Sequence, residues 1–258
     1  MDLYRLIPGT SRLLVSIPHA GTFLPPAIAA QMTDQARPLP DTDWHVDRLY
    51  DFLKDLAATV LIATHSRYVV DLNRPPDDSP LYPGMAGSGL VPAATFAGDP
   101  VWRPGNAPDA AEVQARITRY WQPYHDRLRA ELAALRARHG SVVLWDAHSI
   151  RSQVPLLFTG DLPVLNFGTN DGRACGSGLA ARLLACAQDF PRFPAVLDGR
   201  FRGGYITRAY GDPAGGIDAV QLELAQRSYM DETTGAWLPD RAQQVIAVLR
   251  ALVAIAGR

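Results

Sequence analysis

Short apolar runs and longer amphipathic stretches alternate along most of the chain. The apolar runs predict strands over 12–17, 59–64, 68–72, 141–147, 162–167 and 217–225. The amphipathic stretches predict helices over 41–58, 109–139, 176–187 and 240–256, the second of them interrupted near Pro123. This alternation is typical of a single α/β domain over residues 1–258, with a central mixed, mostly parallel sheet flanked by helices. Residues 76–108 are rich in Pro and Gly and show no period, which predicts a long loop of the kind that is usually functional.

Two histidines end a predicted strand in the same way. His19 follows the apolar run 13–18, His148 follows the run 142–147, and small residues come next in both places. A buried strand that ends like this brings an imidazole to the carboxyl edge of the sheet, where open α/β sheets bind ligands. We therefore expect the two imidazoles to meet and share a metal ion. Asp146 lies two residues before His148 on the same side of the strand and is placed to orient its imidazole.

A catalytic zinc ion needs a third protein ligand, and an acidic cluster at 41–47 offers three. Asp43 and Asp47 are spaced i,i+4 in a predicted helix and would share one of its faces. Asp41 or Asp43 would also serve as the N-cap of that helix. The sequence leaves the third ligand open among Asp41, Asp43 and Asp47.

Glu223 is the candidate base. It lies on the same face of the predicted strand 217–225 as Gln221, and the apolar positions of the strand point to the other face. Carboxylates are rarely buried without a partner or a function. In a central strand, Glu223 would therefore take a proton from the attacking water. In an edge strand it would lie on a solvated face.

Arginines and glycines near the predicted strand ends indicate a small acidic substrate. Arg67 and Arg74 flank the strand 68–72, and Arg74 follows Asn73 at its end. A glycine-rich segment, 199–208, carries further arginines at positions 200, 202 and 208. Arginine binds carboxylates through two parallel hydrogen bonds, and glycine lets the backbone approach a ligand closely.

Composition excludes several classes of partner. Hydrophobic residues make up 47% of the chain, the net charge is −1 and the isoelectric point is about 6.6. These values give no electrostatic reason to expect binding to nucleic acid or an anionic membrane. The sequence shows neither an N-terminal leader nor a spanning apolar run, so we expect a soluble cytoplasmic protein. Cys175 and Cys186 lie in or beside one predicted helix, roughly 16 Å apart, and are expected to be reduced thiols.

Six segments together resemble the N-formylglutamate amidohydrolase family. They extend from residue 16 to about 232 and are specific as a set. The segments are 16–22 (Ser-Ile-Pro-His-Ala-Gly-Thr), 41–45 (Asp-Thr-Asp-Trp-His), 66–74 (Ser-Arg-Tyr-Val-Val-Asp-Leu-Asn-Arg), 146–149 (Asp-Ala-His-Ser), 203–208 (Gly-Gly-Tyr-Ile-Thr-Arg) and 220–223 (Val-Gln-Leu-Glu).

The resemblance implies a zinc-carboxypeptidase-like α/β fold and hydrolysis of N-formyl-L-glutamate to L-glutamate and formate, the last step of a bacterial histidine-degradation route. It implies Zn²⁺ or another divalent metal, with Glu223 as the base. The implied metal ligands are His19, Asp43 and His148. The implied substrate-binding residues are Arg67, Asn73, Arg74, Arg202 and Thr207. One departure stands at Ala209, where the family often carries a histidine.

Two alternatives remain open. One is a related zinc-dependent deacylase or carboxypeptidase that acts on another N-acylated acidic amino acid. The other is a metal-free binding protein of the same fold. The metal content of the purified protein separates the second alternative from the enzymes, and the sequence leaves the oligomeric state open.

Overall fold

Seven strands form one sheet in the part of the chain that the computed structural model describes, residues 1–81 and 87–257. The strands are β1 (Tyr4–Ile7), β2 (Leu13–Ile17), β3 (Thr59–Ala63), β4 (Val142–Ile150), β5 (Leu165–Gly168), β6 (Ala195–Leu197) and β7 (Ile217–Ala225). The helices are α1 (Pro26–Ala29), α2 (Val46–Leu49), α3 (Ala110–Arg116), α4 (Gln122–His139), α5 (Ser177–Gln188), α6 (Tyr205–Tyr210) and α7 (Pro239–Ala256). A 3₁₀ helix covers Asp51–Leu56 and another covers Gln226–Ser228.

The sheet is mixed and mostly parallel, as the sequence predicts. Its strand order is β1-β3-β2-β4-β7-β5-β6. The four strands β3, β2, β4 and β7 are mutually parallel neighbours, and β5 is parallel to β6. Antiparallel pairing occurs between β1 and β3 and between β5 and β7. The carboxyl ends of the four central strands therefore meet at one edge of the sheet.

The two faces of the central strands bury different side chains. One face contributes residues such as Val15, Trp145 and Val220 to a core that also includes apolar residues of α2, α5 and α7. On the opposite face, the first residues of these strands are apolar, such as Leu14 and Leu144. They form a second core together with the buried residues of α4. Because side chains alternate along a strand, the next positions on that second face are polar. These buried polar residues are Ser16, Asp146, His148, Gln221 and Glu223.

The helix that covers the second face has an irregular turn. A π-helical turn over Ile117–Trp121 joins α3 to α4, immediately before Pro123. Asp109 caps the start of α3 by accepting a hydrogen bond from the backbone N–H of Glu112 at 2.8 Å. Gly140, with a φ of 74°, ends α4 in the left-handed conformation. The predicted interruption near Pro123 is confirmed as this turn.

The predicted strand at 68–72 is wrong, because residues 66–74 fold into successive turns. The carboxylate of Asp71 accepts a hydrogen bond from the backbone N–H of Asn73 at 2.8 Å, a local bond that competes with strand pairing. Side chains of the long helix bind the carbonyls of the segment instead. The three bonds run from Arg116 to Val69 O (3.3 Å), from His125 to Leu72 O (2.9 Å) and from Trp121 to Arg74 O (3.0 Å).

The predicted helix over 41–58 is broken into α2 and the 3₁₀ helix Asp51–Leu56. Asp43 lies before α2, and His45 between them adopts a left-handed φ of 63°. The expectation that Asp43 and Asp47 share one helical face is therefore wrong. The strand predicted over 141–147 extends to Ile150, so His148 lies inside β4 and not beyond its end.

Four short elements, β1, β6, α1 and α6, were not predicted, because none is long enough to show a period. Residues 82–86 of the predicted loop 76–108 lie outside the described residues, and the rest of it contains turns and isolated bridges. Both cysteines are free and buried. Among the described helices, none combines the length and the apolar character that crossing a membrane requires.

The buried imidazole of His125 makes the stability of the fold depend on pH. Its Nε2 donates to Leu72 O, and its Nδ1 lies 2.8 Å from the hydroxyl of Tyr210. Burial lowers the pKa of His125 from 6.5 to about 3. Between these values only the unfolded chain takes up the proton, so the contribution to stability is complete above the unfolded pKa and is lost as the pH falls.

We expect the stability advantage of the wild type over His125→Gln to shrink by about 2 kcal/mol between pH 7 and pH 5. Urea unfolding of both proteins at the two pH values measures it. The control is His139→Gln, which replaces an exposed histidine at the end of the same helix. An advantage that is constant across this range would contradict a neutral His125 in the folded protein.

Candidate functional site

Two neighbouring parallel strands bring the two histidines together. His19 follows the end of β2 by two residues, His148 lies in β4, and their ring centroids are 4.8 Å apart. Asp43 joins them from the loop before α2, where its backbone N–H donates to His19 O at 3.1 Å. His19, Asp43 and His148 are all buried, and each offers a metal-ligand atom within 4.8 Å of the other two.

The imidazole nitrogens of the two histidines divide into two sets. Both Nδ1 atoms face Asp43: its Oδ2 lies 3.0 Å from Nδ1 of His148 and 3.8 Å from Nδ1 of His19. Both Nε2 atoms face another carboxylate, Asp71 at 2.8 Å from His19 and Asp146 at 3.1 Å from His148. The ligand atoms around a tetrahedral zinc ion lie about 3.3 Å apart. The arrangement therefore fits a zinc ion on the Nδ1 atoms, with the outer carboxylates fixing the rings.

The charge of the cluster also fits a divalent cation. Three carboxylates contact the two imidazoles, and among the described residues one buried guanidinium contacts these carboxylates. Arg67 donates to Asp71 Oδ2 at 2.6 Å and lies 3.9 Å from Asp43 Oδ1. With neutral imidazoles, two negative charges are left in excess, and Asp146 Oδ1 is buried with no hydrogen-bond partner in the described part of the chain. Buried charge is costly unless it is paired, so this donor set favours a dication.

The pKa values of His19, His148 and Asp71 are shifted by burial and by the charged groups around them. Burial, reinforced by Arg67, lowers the pKa of His19, which keeps its imidazole in the neutral form that binds metals. Burial also acts to lower the pKa of His148. The carboxylates of Asp146 and Asp43 outweigh burial and hold this pKa well above the ordinary value. Burial acts to raise the pKa of Asp71, but the adjacent His19 and Arg67 outweigh it and hold the pKa well below its usual range.

Glu223 lies directly across the β4–β7 pair from His148. Its carboxyl is buried, and burial raises its pKa to about 8. Gln221 on the same strand face donates from Nε2 to Glu223 Oε2 at 3.2 Å and accepts from the backbone N–H of Gly204 at 2.6 Å. The orientation of the Glu223 carboxyl is therefore fixed by a chain of hydrogen bonds. A carboxyl with a raised pKa is suited to proton transfer near neutral pH.

Asn73 connects the turn segment to the histidines. Its Nδ2 donates to Asp146 Oδ2 at 3.3 Å and lies 2.9 Å from Nε2 of His148. Its Oδ1 accepts from the backbone N–H of Ile206 at 2.8 Å, which sets the orientation of the amide. A Cβ at position 204 would lie 2.3 Å from Asn73 Nδ2, so the close approach of these two segments requires Gly204.

Part of this group of residues lines one cavity. Seven of the nine site residues expected from the sequence line it, namely His19, Asp43, Arg67, Asn73, Arg74, His148 and Glu223. Other residues of the lining are Phe96, Leu157, Arg200 and Phe201. The sequence pattern does not separate Arg200 from Arg202, and Phe96 lies in a loop without a period.

Two expected substrate-binding residues lie outside the described lining of this cavity. Arg202 is about half exposed, and its Nη1 lies 3.6 Å from Asp171 Oδ1. Thr207 is fully buried within α6. Ala209, the departure from the family pattern, is exposed on the same helix, so its side chain is directed away from the buried site.

The three aspartates considered as third ligand have different surroundings. Asp41 accepts hydrogen bonds from the hydroxyl of Tyr68 at 2.7 Å and from the backbone N–H of Phe96 at 2.9 Å. Asp47 lies at the surface on α2 and pairs with Arg5 at 3.0 Å. Of the three, Asp43 is the one that the fold places between the histidines.

Comparison with known proteins identifies the family and the fold. A family model described as N-formylglutamate amidohydrolase matches residues 11–230. The N-formylglutamate deformylases of Pseudomonas aeruginosa and Pseudomonas putida are 52% and 50% identical to this chain over 246 residues, which are 95% of this chain and 92% of each relative. The crystal structure of an N-formylglutamate amidohydrolase from Ralstonia eutropha has a TM-score of 0.84 at 26% identity, covering 99% of this chain and 98% of that one. A protein from Agrobacterium tumefaciens shares the fold, with a TM-score of 0.72 at 23% identity and coverage of 99% and 96%.

If Asp43 is a metal ligand, we expect Asp43→Ala to weaken zinc binding by more than about 100-fold, since loss of an outer partner of a ligand typically costs about 10–100-fold. Asp47→Ala is the matched control, since it removes an exposed carboxylate four residues away. Zinc titration of both variants against a chromophoric chelator measures the affinities. Equal zinc affinity in the two variants would remove Asp43 from the ligand set.

Proposed function

The chain belongs to the N-formylglutamate amidohydrolase family, and from that premise we propose that it hydrolyses N-formyl-L-glutamate to L-glutamate and formate with the help of a divalent metal ion. Zinc is the ion that we propose, because two imidazoles and one carboxylate are a common ligand set of catalytic zinc. The same proposal places the reaction at the end of a histidine-degradation route. The observation that carries the proposal is the buried group of His19, Asp43 and His148 in a cavity that Glu223 also lines.

In this proposal, Nδ1 of His19, Nδ1 of His148 and Oδ2 of Asp43 hold the ion. A bound zinc ion supplies Lewis acidity, which polarises the formyl carbonyl and lowers the pKa of a water molecule to about 7. Asp71 accepts the Nε2 proton of His19 and so selects the tautomer whose Nδ1 is available to the metal. Asp146 Oδ2 lies 3.1 Å from Nε2 of His148 and adds negative charge beside that ring.

Glu223 moves the proton. Its carboxylate accepts a proton from the attacking water and then delivers that proton to the amide nitrogen, which leaves as the amine of glutamate. The hydrogen bond from Gln221 holds one carboxylate oxygen and orients the other. The raised pKa supports this role, because a buried carboxylate is a stronger proton acceptor than an exposed one.

Arg74 binds a carboxylate of the substrate near the reaction centre. It follows Asn73, whose amide lies against His148, and its own Nε and Nη2 are held by Ser88 O at 2.7 Å and Ser88 Oγ at 3.0 Å. Arg67 has a different role, because its guanidinium is buried against Asp71 and Asp43. It balances the charge of the cluster and helps to position Asp43.

The activity itself is tested by formate release from a panel of N-formyl and N-acetyl amino acids. We expect N-formyl-L-glutamate to be the preferred substrate, a chelator to abolish turnover, and added zinc to restore it. Activity that persists after the bound metal has been removed would contradict metal assistance. Lack of turnover on every N-formyl substrate would contradict the assigned reaction.

We expect Glu223→Gln to lower kcat by about 10²–10⁴-fold while the protein keeps its fold and its zinc, because the amide has the same shape but cannot accept the proton. Steady-state kinetics, zinc analysis and thermal unfolding are measured on one preparation. Glu131→Gln is the control, since this residue forms a surface ion pair with Arg127 at 2.8 Å. A near-native kcat in Glu223→Gln would move the base to another residue.

A further inference from the structure

One wall of the cavity comes from the segment 198–204, which the loop after β5 holds in place. Asp198 adopts a left-handed φ of 47° and accepts hydrogen bonds from the backbone N–H (2.7 Å) and the hydroxyl (2.5 Å) of Thr169. Further along, the backbone N–H of Asn170 donates to Arg202 O at 2.6 Å. A Cβ at position 168 would lie 2.3 Å from the backbone nitrogen of Gly203, so the two segments are in direct backbone contact. The segment is therefore a fixed part of the site.

Two arginines on this segment have opposite surroundings. Arg200 lines the cavity, its Nε donates to Leu157 O at 2.6 Å, and its guanidinium lies 5.2 Å from the ring centroid of Phe201. Arg202 lies outside the described lining, about half exposed beside Asp171. A guanidinium whose Nε is anchored keeps a fixed plane, and such a plane suits bidentate binding of a carboxylate.

The substrate of the proposed reaction carries two carboxylates. Three arginines line the cavity: Arg67 is buried against Asp71 and Asp43, and Arg74 and Arg200 come from two separate segments. The α-carboxylate is attached directly to the carbon that bears the reacting amide, whereas the side-chain carboxylate carbon is three bonds from that carbon. Arg74 adjoins Asn73, which contacts His148, so it is close to the reaction centre. Arg200 belongs to the wall formed by the segment 198–204, where its Nε donates to Leu157 O.

We propose that Arg200 binds the side-chain carboxylate of the substrate and thereby sets the preference for acidic over neutral N-acyl amino acids. This assignment rests on the proposed function, and it leaves the α-carboxylate to Arg74. Phe96, Leu157 and Phe201 line the same cavity and would exclude water from the ion pair. Exclusion of water strengthens a charge-assisted pair, which is why loss of one partner has a large effect.

The test compares N-formyl-L-glutamate with N-formyl-L-glutamine, which has the same shape without the negative charge. In Arg200→Met we expect kcat/KM for N-formylglutamate to fall by about 30-fold or more, with a change of only a few-fold for N-formylglutamine. Arg202→Met is the competing variant and is expected to lose less selectivity than Arg200→Met. Arg173→Met is the control, because this exposed arginine pairs with the same Asp171 at 3.3 Å.

A binding measurement separates this proposal from the reaction itself. Calorimetric titration with L-glutamate and L-glutamine should show that Arg200→Met loses affinity for glutamate and changes little for glutamine. Equal losses on both ligands, an unchanged ratio, or a larger effect in Arg202→Met would overturn the assignment. If the wild type releases no formate from N-formylglutamate, the proposed function fails. The titrations with L-glutamate and L-glutamine then still show whether Arg200 distinguishes a charged from a neutral side chain.

Discussion

Three buried carboxylates around two imidazoles are the constraint on which the site depends. Asp43 lies between the two rings, Asp71 is hydrogen-bonded to Nε2 of His19, and Asp146 lies 3.1 Å from Nε2 of His148. Carboxylates without counter-charges would be expelled from such an environment or protonated. Hydrogen-bond donors reach two of the three carboxylates: Arg67 donates to Asp71, and the backbone N–H of Ser149 donates to Asp43 at 3.2 Å. The remaining negative charge is what a divalent ion would balance.

The fold produces this cluster through one change of polarity along the central strands. On the face that α4 covers, β2, β4 and β7 each begin with apolar residues that pack in the core and continue with polar residues toward the carboxyl edge. The segment 66–74 then lies against this polar edge. It carries Arg67, Asp71 and Asn73 into the cluster, and its backbone carbonyls are held by three side chains of the α3–α4 helix. Packing of the long helix therefore positions the residues that contact the histidines.

Much of this arrangement was predictable from the sequence, because strands that are buried on both faces appear as apolar runs and a polar residue within such a run is conspicuous. The positions of His19, His148 and Glu223 follow from that pattern. The prediction of a strand over 68–72 is wrong because its apolar residues match a strand pattern, whereas Asp71 turns the backbone locally. The predicted helix is broken between Asp43 and Asp47 because His45 adopts a left-handed conformation. The pattern of apolar and polar positions gives no sign of such a conformation. The choice of Arg200 over Arg202 for the cavity depends on tertiary contacts with the loop after β5.

The central claim is that the Nδ1 atoms of two histidines, with Asp43 between them, hold one metal ion. The most direct measurement is anomalous diffraction from zinc-soaked crystals, with data collected above and below the zinc absorption edge. We predict one strong peak at about 2.0–2.2 Å from Nδ1 of His19, Nδ1 of His148 and Oδ2 of Asp43. A zinc peak on the Nε2 atoms, a peak elsewhere in the protein, or no peak in crystals soaked at saturating zinc would contradict the account.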